Sequence, residues 1–138
     1  MHFLLVFLTI AAVDLSSIKT EPNLEKRSDL ALDYANAALD SARDAYNSGD
    51  YAKAQASFNE VAESVDLSWQ SLTESGKYAR NNGHFKRAEL KTRELLRRLD
   101  GMADLVSGDD RGMVEKVRAR VAQIHDQLIQ GIMGKKKK

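Results

Sequence analysis

With no cysteine in the chain, histidines and carboxylates are the side chains able to hold a transition metal, and there are three histidines: His2, His84 and His125. A diiron helical bundle needs Glu-x-x-His on two helices. Asn81 and Ala122 stand three residues before His84 and His125, so neither fits. A haem bundle can use one Met and one His, which makes Met102 or Met133 with His125 a conceivable pair. The ordinary reading is that His125, beside Asp126, is a boundary residue and that the methionines fill gaps in a core. Asp100 and Asp104 form an i, i+4 carboxylate pair, but no basic partner fixes them for acid–base work, and a solvated rim explains them. There is no Gly-x-Ser-x-Gly, no thiol nucleophile and no glycine-rich phosphate loop. The expectation is a protein without enzymatic activity, resident metal or cofactor.

Cations offer more. Lys86, Arg87, Lys91, Arg93, Arg97 and Arg98 crowd one helical stretch, and Tyr78, Arg80 and His84 precede it. Glu89–Arg93 and Glu94–Arg98 are i, i+4 pairs in the favourable order, the pattern of a salt-bridged solvent face. The functional alternative is a docking surface for an anionic partner, with Tyr78, Arg80, His84, Lys86, Arg87, Lys91, Arg97 and Arg98 as candidate contacts. The partner expected is a protein or an anionic component of the cell envelope. Nucleic acid is not expected at a net charge of +1 with few aromatics. The sequence fixes no oligomeric state.

These cations need a scaffold, and the apolar periodicity supplies one. Four amphipathic stretches follow a 3.5–3.6 residue period. The first runs from about Asn23 to Ser48, with Leu32, Ala35, Leu39, Ala42 and Tyr46 inward. The second runs from Asp50 to about Ser75, with Tyr51, Ala54, Phe58, Val61, Val65 and Leu72. The third begins near His84, with Phe85, Ala88, Thr92, Leu95, Leu99, Met102 and Val106. The fourth begins near Asp110, with Val114, Val117, Val121, Ile124 and Leu128. Ala38, Ala62, Trp69, Leu96, Ala103, Ile129 and Ile132 widen these stripes. Gly49 suits a left-handed C′ position with Asp50 capping the next helix, and Gly108 with Asp109 and Asp110 suggests the same device. "ESGKYARNNGH" reads as a connecting loop of about eight residues.

The fold class expected is all-α, an antiparallel up-down-up-down four-helix bundle with helices of roughly 37 Å. Residues 21–74 carry 11 acidic and 4 basic side chains, and residues 77–138 carry 16 basic and 8 acidic. The expected neighbours are second with third and first with fourth, so that acidic rims face basic rims. Residues 1–20 read as a signal peptide and short linker, 21–134 as the helical domain and 135–138 as a basic tail. Phe3–Val13 is an apolar run of signal-core length, too short to span a bilayer. Ala11 and Ala12 offer the small residues that a cleavage site needs. The expected location is exported, periplasmic or secreted.

Gly49, Tyr51 and Ala54 recur in kind as Gly83, Phe85 and Ala88, 34 residues on, with Gly76 between them; Phe58 completes the first set, and Thr92 stands where its counterpart would fall. This resembles the tetratricopeptide hairpin, whose repeat has that period. The resemblance implies a peptide-binding adaptor with a groove near Tyr51, Phe58, Trp69 and Phe85. It requires the chain to turn near Asp66 and restart at Trp69, where a bundle requires one continuous helix. The signal-like start, "HFKRAELKTRELLRRL" and "EKVRARVAQIHDQLIQGIMG" are similar to small exported all-helical bacterial proteins of unassigned activity. That similarity, over roughly Leu30 to Lys138, implies an exported helical domain and carries over no catalytic residue.

Overall fold

Helix formers, one face of apolar side chains in each stretch and capping residues at the joints produce an all-helical chain. The computed structural model describes residues 14–134. The apolar run at residues 3–13 and the lysine tail at 135–138 lie outside the described residues, and with them the signal-peptide and basic-tail expectations. The elements are α1 (Leu15–Lys19), α2 (Leu24–Asn47), α3 (Tyr51–Glu74), a single 3₁₀ turn (Ala79–Asn81), α4 (Gly83–Leu105) and α5 (Arg111–Met133). The four long helices pack on one another as a four-helix bundle.

Local chemistry sets the ends. Asn23 accepts from the Lys26 amide at 3.0 Å, Asp50 from Lys53 at 3.2 Å, and Asn82 from His84 and Phe85 at 2.8 and 3.3 Å. Each satisfies amides that a helix start leaves without partners. After α2, Gly49 takes φ +80°. The Asp50 amide bonds Ala45 O at 2.9 Å and the Gly49 amide bonds Tyr46 O at 3.1 Å, the paired closure of a Schellman turn. Gly76 ends α3 in the same left-handed region, at φ +67°. The expected repetition at Gly108 does not occur. Its φ is not positive, and Asp110 makes no capping bond to α5. The Asp110 carboxylate is drawn instead to Tyr46, whose hydroxyl donates to it at 3.1 Å, and to the Ser107 hydroxyl at 2.9 Å. The Ser107 amide in turn donates to the Tyr46 oxygen at 2.9 Å, which ties the α4–α5 turn to the end of α2.

The helix α3 runs unbroken through Asp66 to Glu74, so the chain does not adopt the repeat-like turn that the tetratricopeptide resemblance needs. Phe58 and Phe85, two of the expected groove residues, lie in the core. Tyr51, expected to point inward, is exposed, and its ring lies 5.3 Å from that of Tyr46, tilted by 57°, at the bundle's end.

Between α2 and α3 the contact is made largely by small side chains. Ala31, Ala35, Ala38, Ala42 and Ala45 are buried on α2, and Ala54, Ser57, Ser64, Ser68 and Ser71 on α3. Small residues let two helix backbones approach closely. Four of the buried hydroxyls are satisfied within this contact: Ser64 donates to Glu60 O and Ser71 to Leu67 O, each at 2.6 Å, and Ser28 and Ser68 bond each other across the two helices at 2.7 Å. The hydroxyls therefore enter the interior without the penalty of a lost hydrogen bond.

The lateral order differs from the expected one. Neighbours are α2 with α4 and α3 with α5, while α3 and α4 lie across a diagonal. Ion pairs show the register. Along α2, Glu25, Asp29, Asp33 and Asp40 meet Lys77, His84, Arg87 with Lys91, and Arg98 in ascending order, so α2 and α4 are parallel. Asp66 of α3 meets Arg120 of α5 at 2.6 Å. The physical reason is the matching of charge rows. Acids at 25, 29, 33 and 40 climb α2 in step with His84 and the cations at 87, 91 and 98 on α4, and the connection at 75–82 is long enough to cross the bundle's end. Acidic helices still face basic ones, but across these two parallel seams.

A further element, α1, lies within the stretch read from sequence as leader and linker. Asp14 caps it by accepting from the Ser17 amide at 2.8 Å. Leu15 and Ile18 are buried against Ala31 of α2 and Leu67 of α3.

Candidate functional site, a basic face on α4

The start of α4 is fixed by Asn82, which caps it and donates its side-chain amide to Glu25 at 3.1 Å. The preceding 3₁₀ turn rests on α5, where Gly131 gives it room: a β-carbon built there would sit 3.2 Å from that of Ala79. Phe85, Ala88, Thr92, Leu95 and Leu99 bury the inner face of α4, which sends its charged residues to the flanks and the outer face.

The eight candidate residues divide into two sets. His84, Arg87, Lys91 and Arg98 turn toward α2. His84 is held between two carboxylates, Nδ1 at 3.0 Å from Asp29 Oδ2 and Nε2 at 3.2 Å from Glu25 Oε2. Arg87 bridges Asp29 and Asp33, each at 3.8 Å, and Lys91 reaches Asp33 at 3.9 Å. Arg98 pairs with Asp40 and lies against Asn36, its Oδ1 at 3.4 Å. The i, i+4 pair expected between Glu94 and Arg98 is therefore replaced by an interhelical one, because α2 offers a carboxylate to a half-buried guanidinium. Glu89–Arg93 forms as expected. These contacts also act on the acids. The Lys77 ammonium, aided by Asn82, holds the Glu25 carboxyl below the usual carboxylate range. Arg93, with help from His125, does the same for Glu89.

The second set is Tyr78, Arg80, Lys86 and Arg97. All are exposed, Tyr78 at 83%. Among the described residues, Arg80, Lys86 and Arg97 make none of the ion pairs that occupy their neighbours. Lys86, Leu90, Arg93 and Arg97 follow a 4-3-4 spacing and form one outward row. Leu90, 57% exposed in the middle of that row, was absent from the residues singled out by sequence. Its signal was available: it falls outside the inward series 85, 88, 92, 95 and 99. The row can offer a partner two unneutralised cations around an apolar side chain, and Arg80 and Tyr78 lie in the stretch that leads into α4.

His125 lies on α5 with its Nε2 3.3 Å from Glu89 Oε2, in a mostly buried pair across the α4–α5 seam. Met102 is buried and Met133 exposed. Asp100 of the expected solvated rim pairs with Arg118, which ties the same seam together. Trp69 packs at the edge of the core, as expected. No grouping of three or more His, Asp or Glu side chains suited to a metal occurs among the described residues, and none of their helices is long and apolar enough to cross a membrane.

Comparison with protein-family models, curated proteins and solved structures found no match.

Proposed function

We propose that the protein is a non-enzymatic helical binding module of the cell envelope, which engages an acidic protein surface through the outer face of α4. The observation that carries this reading is the division just described. His84, Arg87, Lys91 and Arg98 are spent inside the molecule, whereas Arg80, Lys86 and Arg97 are exposed and make none of these ion pairs, Lys86 and Arg97 in one outward row with Leu90, and Arg80 and Tyr78 in the stretch that leads into α4. Cations at an interface rim raise association rates and select partners by charge, and a neighbouring aromatic or aliphatic contact supplies the desolvated area. The export part of the proposal draws on the sequence: the apolar run ends at Val13, and Asp14 opens a capped helix. A cut after the small residues Ala11 and Ala12 leaves α1 and all its contacts whole.

The test is co-purification from an envelope fraction with wild type and with Lys86→Glu/Arg97→Glu. Neither residue supports another element, so the variant keeps its helicity and loses its partner. A partner retained at wild-type yield overturns the proposal, as does a partner captured only as anionic lipid. N-terminal sequencing of the same material tests export, with a start near residues 12–14 expected.

A further inference from the structure

We propose that His84 is a proton-operated latch between α2 and α4, and that the proton it gives up to solvent leaves from Nε2. The imidazole lies between two acids of α2. Its Nδ1 is 3.0 Å from Asp29 Oδ2, and its Nε2 is 3.2 Å from Glu25 Oε2. An ionised carboxylate only accepts hydrogen bonds. A neutral imidazole has one N–H to donate, and the imidazolium has two. The protonated ring therefore satisfies both contacts. The neutral ring makes one of them and sets a lone pair against a carboxylate at the other.

The surroundings decide which contact is given up. Glu25 has two other donors, the Lys77 ammonium and the Asn82 side-chain amide. These groups also hold its carboxyl below the usual carboxylate range, so it stays an anion through mild acid. Asp29 is worse served. Its Oδ1 is buried and accepts no hydrogen bond among the described residues, and Arg87 Nε stands 3.8 Å from it. Losing the Nδ1 proton would leave this carboxylate with neither oxygen bonded, and an unsatisfied buried acceptor is costly. The neutral ring therefore keeps Nδ1–H on Asp29 and lets Glu25 go. Free histidine in water favours the other tautomer, so this one is imposed by the fold. The charged groups facing the ring are Glu25 and Asp29 of α2, Lys77 of the connection and Arg87 of α4. Among these residue types histidine is the one that changes charge between about pH 5 and 8. In mild acid the first turn of α4 is tied to two carboxylates of α2, and in mild base to one. The latch stands apart from the partner-binding reading, which uses the outer face of α4.

Ring-nitrogen NMR shifts of the full chain, followed up the pH scale until the ring is neutral, test the tautomer. His84→Gln assigns the signal among the three histidines, and Nδ1–H is expected. Urea unfolding at about pH 8 and about pH 5.5, on either side of the histidine range, tests the latch. The folding constant of wild type relative to His84→Gln is expected to rise about two- to fivefold on acidification, as for a partly exposed ion pair. A Glu25→Gln background offers an amide that can turn to donate or to accept, so most of this rise disappears there. An Nε2–H tautomer in the neutral ring, a ratio that stays flat or falls in acid, or an undiminished rise in the Glu25→Gln background each overturn the proposal.

Discussion

Single side chains in this molecule carry distinct physical loads. The Tyr34 hydroxyl donates to the Glu60 carboxylate across the α2–α3 groove. That bond, with burial and the charge of Glu60 added, raises its pKa from 10.0 to about 12. A raised folded-state pKa means stability that is fully present below pH 10 and lost as pH rises toward 12. Urea unfolding across that window is expected to show the loss in wild type and a flatter profile in Tyr34→Phe; a parallel profile would show that Tyr34 is not the group responsible. Glu89 has the opposite sign. Arg93 and then His125 depress its pKa, so its contribution is present above the ordinary carboxylate range and disappears as pH falls through the depressed value. Glu89→Gln is expected to be less stable than wild type at neutral pH, with the gap closing in acid. Phe58 is a simpler case. It is fully buried in the main core, and Phe58→Ala is expected to cost about 3–5 kcal/mol in urea unfolding.

At the scale of elements, the apolar stripes made α4 and α5 readable: every inward position expected from Phe85 to Val106 and from Val114 to Leu128 is buried. The caps Asn23 and Asp50 were readable for a similar reason, since capping depends on residues within three positions. The α2–α3 contact was only half legible. Ala35, Ala42 and Ala54 fell within the apolar pattern, but Ser28, Ser57, Ser64, Ser68 and Ser71 read as polar. The burial of Ser28, Ser64, Ser68 and Ser71 depends on hydroxyls turning back to their own helix or to each other, which an apolar count does not detect. Ser64→Leu is expected to destabilise the protein by about 1–3 kcal/mol through overpacking of this close contact, and Ser64→Ala by much less, as measured by chemical unfolding. The helix α1 was hidden because five residues cannot show a helical period, and its stability comes from Leu15 and Ile18 on the groove. The candidate site was legible in composition but not in use. Sequence placed the cations on α4, but which ones face α2 depends on helix rotation and on the order of packing.

That packing order belongs to the whole molecule. The two charge-matched seams, α2 with α4 and α3 with α5, bring the acidic hairpin against the basic one. Exposed pairs contribute about 0–1 kcal/mol each and weaken with salt, so their effect is to favour one arrangement over others of similar burial. Asp40→Lys and Arg98→Asp are each expected to destabilise the bundle slightly, and the double variant to recover most of the loss. A double-mutant cycle at low and high salt measures the coupling, and additive losses would show that the seam does not depend on this pair.

The diagonal connection at 75–82 has a further consequence. It is the single covalent link between two helical hairpins, each closed by its own short turn and each carrying the charge the other lacks. A nick there would separate the chain into halves that are contiguous in sequence and electrostatically matched. Such halves are suited to reassembly from separate polypeptides, and the bundle thereby provides a natural site for a split reporter.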